Sequence, residues 1–202
     1  MILDMVRRYH HGELRAAMIR GSLELIAEQG MQRFSVAQVA RRVGVSTAAP
    51  YRHFADREGL LAAVARTVAE ELADQVRAAA EEHTDPADRL AAAAGGYTRH
   101  TIESRAGLPV VFASELHNSQ REDLHESKRT LMDGFLELAL AAAPDPPTAL
   151  ELMEQLLAQA HGYATLHLDG VFGQHGYDVD LVVRKSVDAA RIVIAGRCGA
   201  AD

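Results

Sequence analysis

Residues 43–54 read Val-Gly-Val-Ser-Thr-Ala-Ala-Pro-Tyr-Arg-His-Phe (VGVSTAAPYRHF). Just upstream, Val36, Val39, Ala40 and Val43 share one helical face, with Ser35 placed to cap the helix and Gln38 three residues further on. Gly44 then stops it, because glycine adopts positive φ without steric cost. Ser46 is placed to cap a second short helix over residues 47–53. Pro50 would fall at the end of that helix's first turn, where a missing N–H costs at most one early intrahelical bond. A support helix, a tight glycine turn and a second helix free to enter a groove make a helix-turn-helix.

Helical periodicity continues on both sides, with no strand alternation. Residues 12–29 carry a stripe of Leu14, Ala17, Met18, Leu25 and Ile26, ended by Gly30. Asp56 caps a further helix through Leu60, Leu61, Val64 and Val68 toward Ala80. Asp85-Pro86 starts another, which Gly95-Gly96 is expected to interrupt, and Gly107-Leu108-Pro109 is a further break. The run Pro144-Asp145-Pro146-Pro147 reads as a loop. Two helices close the chain, over residues 148–169 and 179–196. The fold class is all-α with about nine helices. The expected organisation is a flexible arm over 1–11, a three-helix domain carrying the helix-turn-helix, and so DNA-binding, over 12–56, a connecting helix over 57–80, and a helical domain over 81–202, for which the family resemblance given below implies ligand binding and dimerisation.

Charge divides along the same lines. The 202-residue chain has a net charge of −7, yet residues 1–60 hold nine arginines against six acids. That segment is basic and the remainder strongly acidic, the asymmetry of a chain with two jobs. No segment is long and apolar enough to span a membrane. The N-terminus has Asp4 and no small-residue cleavage site, so it does not read as a signal peptide. Cys198 is the single cysteine, which excludes an intramolecular disulfide and agrees with a cytoplasmic location. A Cys198 bridge between two chains is left open.

From Leu14 to about Leu72 the chain resembles the DNA-binding domain of the tetracycline-repressor (TetR) family of transcriptional regulators. The matching pattern is G-x-x-x-x-S-V-x-x-V-A-x-x-V-G-V-S-x-x-x-x-Y-x-H-F-x-x-K/R-x-x-L, filled by Gly30 through Leu60. Pro50 stands where many members carry leucine or isoleucine, and Arg57 where lysine is commoner. The resemblance implies a dimer that binds a palindromic double-stranded operator and is released by an unknown small-molecule effector; no cofactor is implied. Thr47 would offer its hydroxyl and methyl to base edges, and Ala48 would let the backbone approach a thymine methyl. Ser46 belongs to the same surface. Tyr51, His53 and Arg57 would donate to phosphates, the amides of the Ser35 helix would bind another, and Gln38 and Arg42 would assist.

In the C-terminal part, Leu152, Leu156, Ala160, Tyr163 and Ala164 on one closing helix and Val183, Val187, Ala190 and Ile194 on the other form stripes suited to a bundle seam. The resemblance implies that this seam is the dimer interface. The middle region is expected to wrap a cavity, with Tyr97, His100, Phe112, Glu115, His117, Met132 and Phe135 as candidate liners, although aromatic and Met stripes are more often plain core. His117 and His125 lack a compact ligand set, so no metal site is expected. Ser114 and His117 are close in sequence, but no nucleophile elbow or phosphate loop accompanies them, and an enzyme is not expected. The other reading is a helical interaction module that has lost DNA binding through Pro50.

Overall fold

A computed structural model of the chain describes residues 2–105, 107–116 and 121–198, with backbone alone for 2–11 and for Glu115. Among these residues there are eight α-helices, four short 3-10 turns and no strand. The helices are α1 (Ile2–Gln29), α2 (Val36–Val43), α3 (Arg57–Glu81), α4 (Pro86–Ser104), α5 (Gly107–Val111), α6 (Glu122–Ala142), α7 (Pro146–Leu168) and α8 (Val179–Cys198).

Four local expectations change. The backbone of α1 is already helical from Ile2, where an arm was expected up to residue 11; no glycine or proline interrupts residues 2–11. Residues 47–53 do not form an α-helix: a turn at Thr47-Ala48 leads into a 3-10 turn over Pro50–Arg52. α4 runs unbroken through Gly95-Gly96. α7 begins at Pro146, inside the proline run, because the first-turn positions need no intrahelical N–H donor. Its cap is Asp145, whose side chain accepts from Thr148 N at 2.8 Å. Asp85 does the same for α4, accepting from Ala87 N and Asp88 N at 3.0 and 3.1 Å.

The chain divides into two compact units. The first comprises Met1–Val68 and Ala106–Leu124. Its core gathers Met18, Ile26, Phe34, Val39, Phe54, Leu60 and Leu61, all at most 5 % exposed. Each such side chain contributes roughly 1.5–3 kcal/mol when fully buried. Val110, Val111, Leu116 and Leu124 join that same core, so the segment around α5 packs with the N-terminal residues although it was expected in the C-terminal domain.

The second unit comprises Ala69–Arg105 and His125–Asp202. At its centre α4, α7 and α8 pack against one another. The two glycines of α4 explain how closely. A Cβ on Gly95 would lie 2.5 Å from Val187 Cγ2 on α8, and one on Gly96 would lie 2.9 Å from the Gln75 carbonyl oxygen on α3. Here glycine serves close approach and not a chain break. A buried polar knot fixes the register: Thr98 Oγ1 bonds Ser186 Oγ at 2.8 Å and donates to Ala94 O at 2.9 Å, while Gln159 Nε2 donates to Ser186 O at 2.9 Å. At one end Phe172 stacks on Tyr177 and tilts against Tyr163, over Ile102, Ala164 and Val182.

Candidate nucleic-acid interface

The Ser35 cap forms as its sequence indicates. Gln38 N donates to Ser35 Oγ at 3.4 Å, and Ser35 Oγ donates to Gln38 Oε1 at 2.9 Å. α2 ends in a Schellman arrangement about Gly44, at φ 78° and ψ 30°: Val45 N donates to Ala40 O at 2.9 Å and Gly44 N to Arg41 O at 3.2 Å. α1 lies close by, since a Cβ on Gly21 would meet Val43 Cγ2 at 3.2 Å. Together these contacts fix the direction in which the chain leaves α2.

Pro50 then explains the element that follows. It has no N–H to donate to Ser46 O, and that carbonyl instead accepts from Ala49 N at 3.0 Å. Arg52 N to Ala49 O at 3.2 Å and His53 N to Pro50 O at 2.9 Å continue the tighter three-residue pattern. The cap position of this turn falls to Ala49, which makes no side-chain cap bond, so the capping role expected of Ser46 is not filled. Pro50 is buried, as is Phe54 at 5 % exposure, while Ser46, Thr47, Ala48, Tyr51 and Arg52 are exposed. Ala48 precedes the 3-10 turn, and Tyr51 and Arg52 are its exposed members. Tyr51, at 58 % exposure, is not a core residue.

The other expected contacts are placed differently. Arg42 is held on α1 by Glu28 at 2.8 Å and Glu24 at 3.3 Å; the bond to Arg42 also holds the Glu28 carboxyl below its usual range. Gln38 turns to the cap and to Gln29 Oε1 at 3.3 Å. His53 is half-buried, its ring 6.3 Å from Phe54. Arg57 lies over the Phe34 ring at 5.6 Å and donates to the carbonyls of Phe34 and Met31 at 3.4 and 3.3 Å, which ties the Met31–Arg33 turn to α3. Asp56 caps α3, accepting from Gly59 N at 2.6 Å. Arg52, Arg41 and Arg33 were not singled out from sequence. All three are exposed and make no ion pair among the described residues. For Arg41 the signal was available: it lies opposite the Val36–Val39–Ala40 stripe of α2.

The seam residues face inward. Leu152, Leu156, Ala160, Ala164, Ala190 and Ile194 are at most 2 % exposed within a single chain. Val183 and Val187 lie against Gly95 of the chain's own α4, and Tyr163 packs on Phe172. An apolar stripe states that a face is covered but not by which neighbour, and here the neighbour is α4. The uncovered apolar side chains of α7 and α8 are others, including Leu150, Leu166 and Ile192, the last 73 % exposed.

The seven candidate liners do not converge. Tyr97 and Phe135 meet edge to face at 6.1 Å, and burial raises the Tyr97 hydroxyl to about 12. His100 is buried with Nε2 unbonded, and burial lowers its pKa. Phe112 is exposed in the first unit and Met132 is exposed on α6. The side chain of Glu115 and all of His117 lie outside the described residues. Among the described residues no three potential metal ligands cluster, and no helix is long and apolar enough to cross a membrane.

Known proteins carry the same pattern. Residues 18–64 match the family model of bacterial regulatory proteins of the tetR family. The HTH-type transcriptional regulator BetI of Escherichia coli (strain K12) is 32 % identical over 164 residues, which span 78 % of this chain and 80 % of BetI. A protein of unknown function from Rhodococcus sp. RHA1 superposes with a TM-score of 0.76 at 29 % identity, covering 94 % of this chain and 98 % of its own. A TetR family transcription regulator from Marinobacter aquaeolei VT8 shares the fold, with a TM-score of 0.66 at 19 % identity over 90 % of this chain and 97 % of its own.

Proposed function

The chain belongs to the TetR family of DNA-binding transcriptional regulators, and from that premise we propose that it is a cytoplasmic, ligand-released repressor that binds a palindromic operator as a homodimer. The observation that carries this reading is the exposed run Ser46, Thr47, Ala48, Tyr51 and Arg52, set on a capped and buried scaffold and free of ion pairs among the described residues. Thr47 and Ala48 reach base edges. Tyr51 and Ser46 donate to phosphates, as do the free amides at the start of α2. Ser35 and Gln38 support that helix start, while Arg42, His53 and Arg57 hold the scaffold in shape behind it. Arg57 is therefore a positioning residue in this reading and not a phosphate donor.

Two half-sites on one face of the duplex require two such turns about a two-fold axis. The partner subunit packs on the outward face of α8, where Ile192 is uncovered in the single chain, and on an exposed flank of α7. Release requires an effector that binds the operator-incompetent state more tightly, by a free energy equal to the coupling it exerts. α3 is one unbroken helix with residues in both units, which makes it the element through which such a shift travels.

The test is an anisotropy titration of the full chain with duplexes from its own promoter region across a salt series. Specific binding should weaken steeply with salt, and Thr47→Ala should cost at least tenfold without moving Tm. Absence of any specific binding at low salt overturns the reading. Light scattering should give a dimer that Ile192→Glu converts to monomer; a wild-type monomer that binds its operator would overturn the dimeric part.

A further inference from the structure

A cavity of about 510 Å3 lies in the second unit between the C-terminal half of α3 and α6, with Arg89 of α4 at its edge. This size falls in the range of small-molecule sites, about 300–1,000 Å3. Small residues create the space. Ala73, Ala80 and Ala141 line it, and a Cβ added to Gly134 would meet nothing within 4 Å. The floor is apolar: Val76, Ala80 and Leu131 are at most 5 % exposed.

The charge at the mouth is one-sided. Glu81, Asp133 and Glu137 line the cavity, are exposed, and form no ion pair among the described residues. Of the two lining arginines, Arg77 is paired with Asp74. Arg89 is half-buried, and its Nε is enclosed without a partner, so that atom is not presented to a ligand. Three free carboxylates thus stand against one guanidinium. Each exposed carboxylate adds little alone, so the apolar floor supplies most of the affinity and the mouth supplies the choice of sign.

We propose that this cavity binds the effector and selects an amphipathic cation, with its apolar body on Val76, Ala80 and Leu131 and a protonated amine donating to Glu81, Asp133 or Glu137. The assignment rests on the reading of the chain as ligand-released.

The experiment uses the full chain with decylamine and decanoate, two probes of equal chain length and opposite charge, both kept at monomeric concentration. Calorimetry should show saturable decylamine binding at least tenfold tighter than decanoate binding, weakened by added salt. Gly134→Leu should abolish it while holding or raising Tm, since the substituent enters empty space on a helix; Gly134→Ala serves as the milder control. Glu137→Gln should weaken the amine several-fold and leave decanoate unchanged or improved. Equal affinity for the two probes, or undiminished amine binding by a folded Gly134→Leu protein, overturns the site. The two readings separate through operator affinity measured in parallel. Amine binding lost in Gly134→Leu but without effect on the operator keeps the site and rejects its effector role. Operator release by the amine that survives Gly134→Leu keeps the effector role and rejects the site.

Discussion

Ala48 and Ala190 are the same residue in opposite settings. Ala48 is exposed on the turn that follows Gly44, and Ala190 is wholly buried where α8 meets the rest of its bundle. Around Ala48 the backbone decides the outcome: a left-handed glycine, a serine cap and a proline without a donor each act through their own local chemistry. Around Ala190 side-chain volume decides it, through contacts between helices far apart in sequence. The first region is therefore sensitive to which backbone shapes are allowed, and the second to which atoms are added.

One substitution made at both sites gives the largest expected contrast. Ala190→Glu places a carboxylate in the bundle with no room and no partner, and should cost about 3–5 kcal/mol, enough to unfold much of a marginally stable chain. Denaturant titration reads this directly; a loss below about 1 kcal/mol would mean that the face of α8 carrying Ala190 is not sealed by its own chain. Ala48→Glu should leave the denaturation midpoint unchanged while cutting operator affinity by about 100-fold, or ~2.8 kcal/mol, through repulsion from phosphates. If affinity survives Ala48→Glu, the DNA-facing surface has been placed on the wrong side of the Pro50–Arg52 turn.

Two glycine substitutions sharpen the contrast at smaller magnitude. Gly95→Ala should destabilise by about 1–3 kcal/mol, because the new methyl meets Val187 Cγ2 at 2.5 Å. The cost should shrink by at least about 1 kcal/mol in a Val187→Ala background, as coupled neighbours require. Additive effects would deny the contact. Gly44→Ala meets no neighbouring atom, so its cost is conformational only: about 1 kcal/mol for an alanine held at φ 78°. No change in side chain elsewhere should rescue it.

The same contrast accounts for how much the sequence revealed. Ser35, Gly44 and the buried valines of α2 were legible because cap, stop and periodicity are local signals. Pro50 was legible as a first-turn residue but not as the cause of a 3-10 turn, because the outcome depends on whether Ser46 O finds another donor, which it does in Ala49. Arg42 and Arg57 looked available as basic residues in a basic segment, yet Glu24, Glu28 and the Phe34 and Met31 carbonyls engage them. Those partners lie up to 26 residues away. Gly95-Gly96 read as a break since glycine usually weakens helices, whereas long-range packing makes it a contact point. The stripe from Leu152 to Ile194 was correctly apolar, but a period of four and three does not say whether α4 or a second subunit covers it. A cavity was expected in the middle region, but none of its seven candidate liners lines the one between α3 and α6: Ala73, Ala80 and Gly134 line a common space only when two distant helices place them opposite each other.

The smallest effect concerns His100, buried in the second unit while most residues of the proposed DNA-facing surface are solvated. Burial lowers its pKa below the ordinary 6.5, and the charge of Glu103 opposes that shift only in part. The folded protein therefore resists a proton that the unfolded chain accepts near pH 6.5. Stability from keeping this ring neutral is complete above that pH and declines as the pH falls through it, because the unfolded state then holds more protons. Replacing the ring by a non-titrating amide, His100→Gln, should flatten the pH dependence of the denaturation midpoint below about pH 6.5 by at most one proton's worth. The comparison with wild type cancels the exposed histidines common to both. Parallel profiles would mean that the imidazole reaches water in the folded chain, and Ala48→Glu, far from any such burial, should leave the slope untouched.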